Sequence, residues 1–353
     1  MGQPVTRCHL TIQENIPLAP LTTLKVGGAA RYFVEAVSED KVREAVALAK
    51  RNQWSLFILG GGSNLVVADS GWPGLVMRIA IGGIKNGGGC FEVGAGVDWD
   101  ELIGRAVAED YAGIECMSGI PGSVGATPVQ NVGAYGQEVS GAIESVRALD
   151  LSADRVVTLS NQECGFAYRG SIFNTVARGR YIILQVTFRL SAGGAPSLKY
   201  TDLQEYFATW KGQPSLAEVR EAVREIRRSK GMLIVSGDED SLSAGSFFKN
   251  PVVSESRFKE LVGSAEARGL RVPSYPALSA QHKISAAWLV EHSGFSKGYE
   301  LGRARISNKH ALALVNSGRA SAADIVRLKD EIQSKVEQQW RILLEPEPVF
   351  VGF

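Results

Sequence analysis

Along the chain, apolar runs of strand length alternate with apolar stripes at helical spacing. Val42, Val46 and Ala49 fall on one face of a segment over 39–52 that Ser38 can cap, and this segment feeds the apolar run Leu56-Phe57-Ile58-Leu59. The first part of the chain therefore predicts a βαβ unit. Phe91-Glu92-Val93 predicts a strand, which leads through Gly94-Ala95-Gly96 into a helix over 99–108 with Asp98 as its N-cap. A β-branched run over 181–190 predicts another strand and Ser-Ala-Gly-Gly-Ala-Pro over 191–196 a loop, with a domain boundary between Tyr200 and Pro214. Ser215 and Glu218 form a capping box for a helix running to Lys230, whose buried stripe is Val219, Val223 and Ile226. Its basic last turn, Arg224, Arg227, Arg228 and Lys230, reads as charge on a solvated face that complements the helix dipole. Ser321 and Asp324 open a further helix, on which Ile325, Leu328, Ile332 and Val336 recur as a core-facing stripe.

Glycine changes this picture. It supplies 39 of 353 residues, about 11% against an average near 7%, and 20 of the 39 lie between Gly60 and Gly141. So much glycine is entropically costly and points to backbone that turns with positive φ or approaches another surface closely. Gly60-Gly61-Gly62-Ser63-Asn64 follows an apolar strand, where its amides could form an anion-binding nest. The 22 residues from Cys116 to Gln137 carry no charge but hold five glycines and two prolines, which excludes a membrane helix. Such a loop should be buried, with its amides and carbonyls answered by partners. A diphosphate and a heteroaromatic ring are one possible set of partners, and a packed structural loop is the alternative.

Length suggests more than one hydrophobic core. A balance of 38 Lys+Arg against 37 Asp+Glu gives no electrostatic reason for a nucleic-acid partner. Cys8, Cys90, Cys116 and Cys164 form no Cys-x-x-Cys pair, and His9, His282, His292 and His310 have no metal-ligand spacing, so no metal site is expected. Residues 1–15 lack a secretory pattern and no 18-residue apolar run occurs, so a cytoplasmic protein without membrane insertion is expected. The chain has no Gly-x-Gly-x-x-Gly and no Gly-Lys. The dinucleotide fingerprint and the P-loop are thereby excluded.

Several short motifs remain, and in their order they resemble the UDP-N-acetylenolpyruvoylglucosamine reductase family, flavoenzymes that complete UDP-N-acetylmuramate for the bacterial wall. They are Thr23-Leu24-Lys25-Val26-Gly27-Gly28, the 60–64 loop, Gly119-Ile120-Pro121-Gly122-Ser123-Val124-Gly125-Ala126, Gln130-Asn131-Val132-Gly133-Ala134-Tyr135-Gly136, Tyr168-Arg169, the 245–251 segment and Leu344-Glu345-Pro346-Glu347. The resemblance implies an α+β protein with a two-subdomain FAD-binding fold of the vanillyl-alcohol-oxidase/PCMH type and a C-terminal α+β substrate-binding domain. The divisions it implies are 1–78, to which 346–353 returns, then 79–213 and 214–345. It further implies non-covalent FAD, NADPH as reductant, a UDP-sugar substrate and a monomer. Gly60, Gly61, Gly62, Ser63, Asn64, Ser118, Gly119, Ile120, Gly122, Ser123, Gly125, Ala126 and Tyr135 would hold the cofactor. Arg169, Ser246 and Glu347 match the family's catalytic positions, and Lys230, Asn250, Tyr275 and Lys283 its uridine diphosphate contacts. Tyr200 resembles a tyrosine that closes over substrate. This chain departs from the family in its acidic 231–240 segment, in Asn174 where a lysine is common, and in Pro348-Val349 after Glu347. Related oxidases can bond flavin to a histidine near the first glycine loop. Here Ser63 and Asn64 occupy that region, and no histidine lies between His9 and His282.

Overall fold

A computed structural model describes residues 10–276 and 281–353. Cys8 and His9 lie outside the described residues. The chain divides into two compact units, the first formed by 1–16, 29–62 and 72–227, the second by 17–28, 63–71 and 228–353.

In the first unit the βαβ expectation becomes a parallel arrangement. Strand Ala29–Ala36 leads into helix Glu39–Arg51, and Ala29–Ala36 and Leu56–Leu59 both pair in parallel with Trp72–Ile79. Ser38 accepts from the Lys41 amide at 3.3 Å, and Val42, Ala45, Val46 and Ala49 form the helix's buried face. A second, antiparallel sheet has the order Arg155–Ser160, Ile143–Asp150, Tyr181–Arg189, Cys90–Gly94, Ile84–Asn86. Helix Trp99–Ala108, capped by Asp98 through the Glu101 amide at 3.0 Å, buries Trp99, Leu102, Ile103 and Ala106 in the core shared by both sheets.

One expectation is corrected. Ser191–Ala192, expected within a loop, pairs antiparallel with Tyr111–Ala112 as a two-residue edge strand. The first unit runs to Arg227, and helix Leu216–Ser229 buries Val219, Ala222 and Val223 with Leu203, Phe207 and Cys116.

In the second unit, strands Ser243–Ser246, Ala313–Asn316, Ala304–Ile306 and Glu300–Leu301 form an antiparallel sheet. Helix Ala322–Trp340 buries Ile325, Leu328, Ile332 and Val336, and Ser321 with Asp324, expected to open it, makes a capping box. The Asp69 carboxylate also accepts from the Ala322 and Ala323 amides at 2.8 and 3.0 Å, placing negative charge at the positive end of that helix. Val252–Ser254, Gln281–Ile284 and Ser274–Pro276 form a three-stranded sheet, while Val349–Val351 pairs in parallel with Leu65–Val67. Among the described residues no helix is long and apolar enough to cross a membrane.

The acidic 231–240 segment has a structural use. Asp240 is buried and accepts from Arg305 Nη1 at 2.8 Å and from the Asn308 amide at 3.0 Å. Burial works to raise its pKa, but the Asn308 amide and Arg305 outweigh it and hold the carboxyl below its ordinary value. Asp240→Ala should cost about 3–5 kcal/mol of unfolding free energy by leaving the buried Arg305 charge only the exposed Glu239 carboxylate, 3.6 Å away, read by urea denaturation. Since the folded pKa is depressed, this contribution is present above the usual carboxylate range and lost as pH falls through the folded value. The variant should therefore lose less stability on acidification than the parent, and identical urea midpoints would show that the pair carries no weight.

Candidate functional site

Two glycine loops of the first unit lie back to back. A Cβ on Gly61 would stand 2.5 Å from Gly122 Cα, and one on Gly60 2.8 Å from Ser123 Oγ, so only glycine allows this approach. Part of the glycine excess thus serves backbone against backbone. The second loop is anchored on the turn before helix Trp99–Ala108, with Trp99 N donating to Gly122 O at 3.0 Å, Val124 N to Val97 O at 2.8 Å and Gly125 N to Ala95 O at 2.8 Å. The amides of Gly61, Gly62, Gly122 and Ser123 take no part in the backbone hydrogen bonds of the described residues. A nest of such donors beside small residues suits an anionic diphosphate, so these residues fit the pyrophosphate of FAD.

Behind the loop stands a cluster of charges. Gly119, at φ 71°, donates its amide to Asp100 Oδ1 at 2.6 Å, and its carbonyl accepts from Arg227 Nε at 3.1 Å. Arg220 meets Asp100 through both terminal nitrogens at 2.6 and 2.9 Å and reaches Ser118 Oγ at 3.1 Å, while Arg224 adds a further bond to Asp100 at 2.6 Å. The solvated-face reading of this helix end is therefore corrected, because Arg227 is only 8% exposed and Arg224 is spent on an ion pair. Burial pulls the Arg227 pKa below its ordinary value. For Asp100, burial acts upward but Arg220, the Gly119 amide and Arg224 bring the carboxyl below its ordinary value. Sequence reasoning missed Asp100, Arg220 and Arg227 as residues that shape the loop, and also Glu115. Wholly buried, Glu115 accepts from the Gly113 and Ser197 amides and from Gln137 Nε2 at 2.8, 2.9 and 2.8 Å.

Tyr135, at φ 48°, is buried and meets the ring of Tyr200 edge-on, with centroids 5.4 Å apart. Tyr200 itself is 42% exposed at the start of helix Thr201–Tyr206. Arg169 sits at the tip of a tight turn closed by reciprocal bonds between Ala167 and Gly170 at 2.9 and 3.1 Å. Its Nη1 donates to Gly133 O at 2.9 Å, while Asn131 Nδ2 donates to Ala167 O at 3.0 Å and Ser171 Oγ to Val129 O at 2.6 Å. The turn is thereby tied to the 129–133 stretch. Burial, with Glu115 beside it, pushes the Cys116 thiol well above its ordinary value and so leaves it no thiolate for nucleophilic work.

The second unit holds the other expected residues. Ser246 ends strand Ser243–Ser246, and the next residue, Phe247, accepts through its carbonyl from the Glu347 amide at 2.9 Å. Lys249 N donates to Glu345 O at 2.9 Å, so the 246–249 and 345–347 segments run alongside each other and bring Ser246 and Glu347 onto neighbouring backbone. Asn64 Nδ2 donates to Glu347 O at 3.2 Å and Asn64 O accepts from the Val349 amide at 2.9 Å, which also fixes the Pro348-Val349 departure. Lys283 pairs with both Val252 and Tyr275, and Asn250 Oδ1 accepts from the Ala286 amide at 2.9 Å. Lys230 precedes Gly231, whose φ of 66° and bond to Arg228 O at 3.1 Å terminate the helix.

A family model described as "FAD binding domain" matches residues 30–160, and one described as "UDP-N-acetylenolpyruvoylglucosamine reductase, C-terminal domain" matches 238–351. The protein is thus an FAD-dependent oxidoreductase of α+β architecture, in which an FAD-binding domain is followed by a reductase C-terminal domain. The reductase from Thermobifida fusca is 43% identical over 349 residues, 96% of this chain and 98% of that one, and the reductase from Streptomyces avermitilis is 42% identical over 357 residues, 98% and 97%. The crystal structure of the Thermus caldophilus enzyme aligns with a TM-score of 0.68 at 24% identity, covering 98% of this chain and 100% of that one, and supports the fold. The chain belongs to the UDP-N-acetylenolpyruvoylglucosamine reductase family.

Removing the Asp100 carboxylate should loosen the loop directly. A hydrogen bond to a charged group contributes about 1.5–3 kcal/mol, so in Asp100→Ala the Gly119 amide should exchange with solvent deuterium roughly 10 to 100 times faster. Asp100→Asn should be milder, because its amide oxygen still accepts. Unchanged protection at Gly119 in the alanine variant would show that Asp100 does not hold the loop.

Proposed function

We propose that the protein reduces UDP-N-acetylglucosamine enolpyruvate to UDP-N-acetylmuramate with NADPH as reductant, in the cytoplasmic supply of peptidoglycan precursors. The single observation that carries this reading is full-length identity of 43% to a reductase of that name. Arg169, Ser246 and Glu347 all stand at the family's catalytic positions, which supports it further. FAD is held without a covalent bond by Gly60, Gly61, Gly62, Ser63, Asn64, Ser118, Gly119, Ile120, Gly122, Ser123, Gly125, Ala126 and Tyr135. In domain terms, 1–78 and 79–213 serve the cofactor, and the residues beyond serve the UDP-sugar through Lys230, Asn250, Tyr275 and Lys283, with Tyr200 closing over it. The enzyme acts as a monomer.

FAD held by the two glycine loops would, once reduced, supply the hydride, from N5 to C3 of the enolpyruvyl group. Negative charge then develops at C2 and spreads into the substrate carboxylate, where it needs fixed donors. Arg169 offers a planar, permanently charged fork for that carboxylate. Glu347, in its protonated form, gives a second donor, a use of a neutral carboxylic acid known at other enolate-forming sites. An enolate is basic enough to draw a proton from a neutral hydroxyl, so Ser246 delivers its proton to C2 without a triad. The adjacent backbones of Ser246 and Glu347 suit this pairing of acid and donor.

Ser246→Ala should keep FAD and still be reduced by NADPH, because that half-reaction needs no acid at C2. Reoxidation by the enolpyruvyl substrate should slow by about 10² to 10⁴, with partial recovery in Ser246→Cys. Stopped-flow flavin absorbance decides between this and a packing role, since unimpaired reoxidation in the alanine variant would remove Ser246 from the mechanism. Acid precipitation of the holoenzyme checks the flavin attachment. A colourless pellet under a yellow supernatant is expected, and a yellow pellet would overturn the non-covalent reading.

A further inference from the structure

Arg169 has φ 52°, in the left-handed region, where a side-chain-bearing residue stands about 1–2 kcal/mol above its right-handed alternative. No glycine relieves that cost, so the surrounding structure must favour this conformation. The frame on either side is fixed by Asn131 at Ala167 and by Ser171, whose hydroxyl donates to Val129 O and accepts from the Phe173 amide at 3.1 Å. The tip is reached from Asn174, which opens no charge toward it. Asn174 Nδ2 donates to Arg169 O at 3.2 Å, and its Oδ1 accepts from Ser171 N at 2.9 Å. One primary amide therefore spans Gly170 and binds a carbonyl before it and an amide after it.

We propose that Asn174 is a positioning residue for the reaction, holding the Arg169 backbone in the left-handed conformation from which its guanidinium serves the substrate. This rests on the reading of Arg169 as the group that meets the substrate carboxylate. The physical basis is that a carbonyl changes direction when its residue leaves the left-handed region, so a donor fixed at Asn174 stabilises only one of the two states. Asparagine is suited because it carries a donor and an acceptor on one short, planar group. Aspartate would keep the acceptor for Ser171 N and lose the donor for Arg169 O. Lysine, common here in the family, would keep a donor and lose the acceptor. The essential half is the donor, and the two substitutions separate the halves.

The test uses the FAD-loaded enzyme and stopped-flow absorbance. Asn174→Asp and Asn174→Ala should retain FAD and be reduced by NADPH at the parent rate, while reoxidation by UDP-N-acetylglucosamine enolpyruvate slows by roughly 10- to 100-fold, the scale of a small misplacement of a catalytic group. Asn174→Lys should reoxidise faster than Asn174→Asp. Parent-like reoxidation in Asn174→Asp overturns the inference, and so does equal slowing of both half-reactions with loss of FAD, which marks a merely structural role. Arg169→Ala is the control. If it slows reoxidation while the Asn174 variants do not, the positioning role fails alone; if Arg169→Ala also reoxidises at the parent rate, the catalytic reading of Arg169 falls and the inference with it.

Discussion

An irregular, charge-free stretch of backbone cannot be buried unless every peptide group in it finds a partner. Between Cys116 and Gln137 the chain has no charged side chain of its own to offer, so the peptide groups that its own turns leave over take partners from residues around it. Glu115, just before the stretch, gathers Gln137 and the Ser197 amide, and Gln137 in turn accepts from Cys116 N at 2.8 Å. Asp100 takes the Gly119 amide, Arg227 the Gly119 carbonyl, Ser171 the Val129 carbonyl and Arg169 the Gly133 carbonyl. The positions of Arg169, of helix Leu216–Ser229 and of the turn before helix Trp99–Ala108 all follow from serving this one segment.

The second unit meets a similar demand with shorter pieces. Phe247 and Phe248 are buried, and the polar backbone beside them is paired with the 345–347 segment, which is thereby built into the second unit. Asn64 adds a side-chain bond to the Glu347 carbonyl, 283 positions away in sequence. In the proposed chemistry this matters because Ser246 and Glu347 share backbone neighbours. A shift of either strand would move the acid and the second donor together rather than separate them.

Legibility in the sequence followed the range of the interactions. Helices Glu39–Arg51, Trp99–Ala108 and Ala322–Trp340 were readable because cap and stripe lie within a few residues of each other, and the physics that forms them is equally local. Arg224 was not readable, since its partner Asp100 is 124 positions away and an arginine in a last helical turn looks the same whether solvated or paired. Glu115 escaped for another reason: a lone carboxylate at the edge of a loop gives no local sign that three donors converge on it. The candidate residues of the site were legible only through a resemblance of motifs in order. Taken singly, Tyr168-Arg169 or Ser246-Phe247 read as ordinary surface, because what distinguishes them is a backbone geometry set by distant partners.

The placement of charge around the glycine loops follows from the same constraint. In the cofactor reading, an anionic diphosphate is met by backbone amides of Gly61, Gly62, Gly122 and Ser123, donors whose direction is set by the fold. A long cationic side chain on the loop would attract the same anion, but would give up rotamer freedom at each binding event. The cations instead stand one layer back. Arg220 and Arg224 share the single Asp100 carboxylate, and Arg227 holds the Gly119 carbonyl. Their charge is thus converted into fixed loop geometry before any ligand arrives. The cost is paid by a buried arginine, and the gain is a donor array that has no reorganisation left to do.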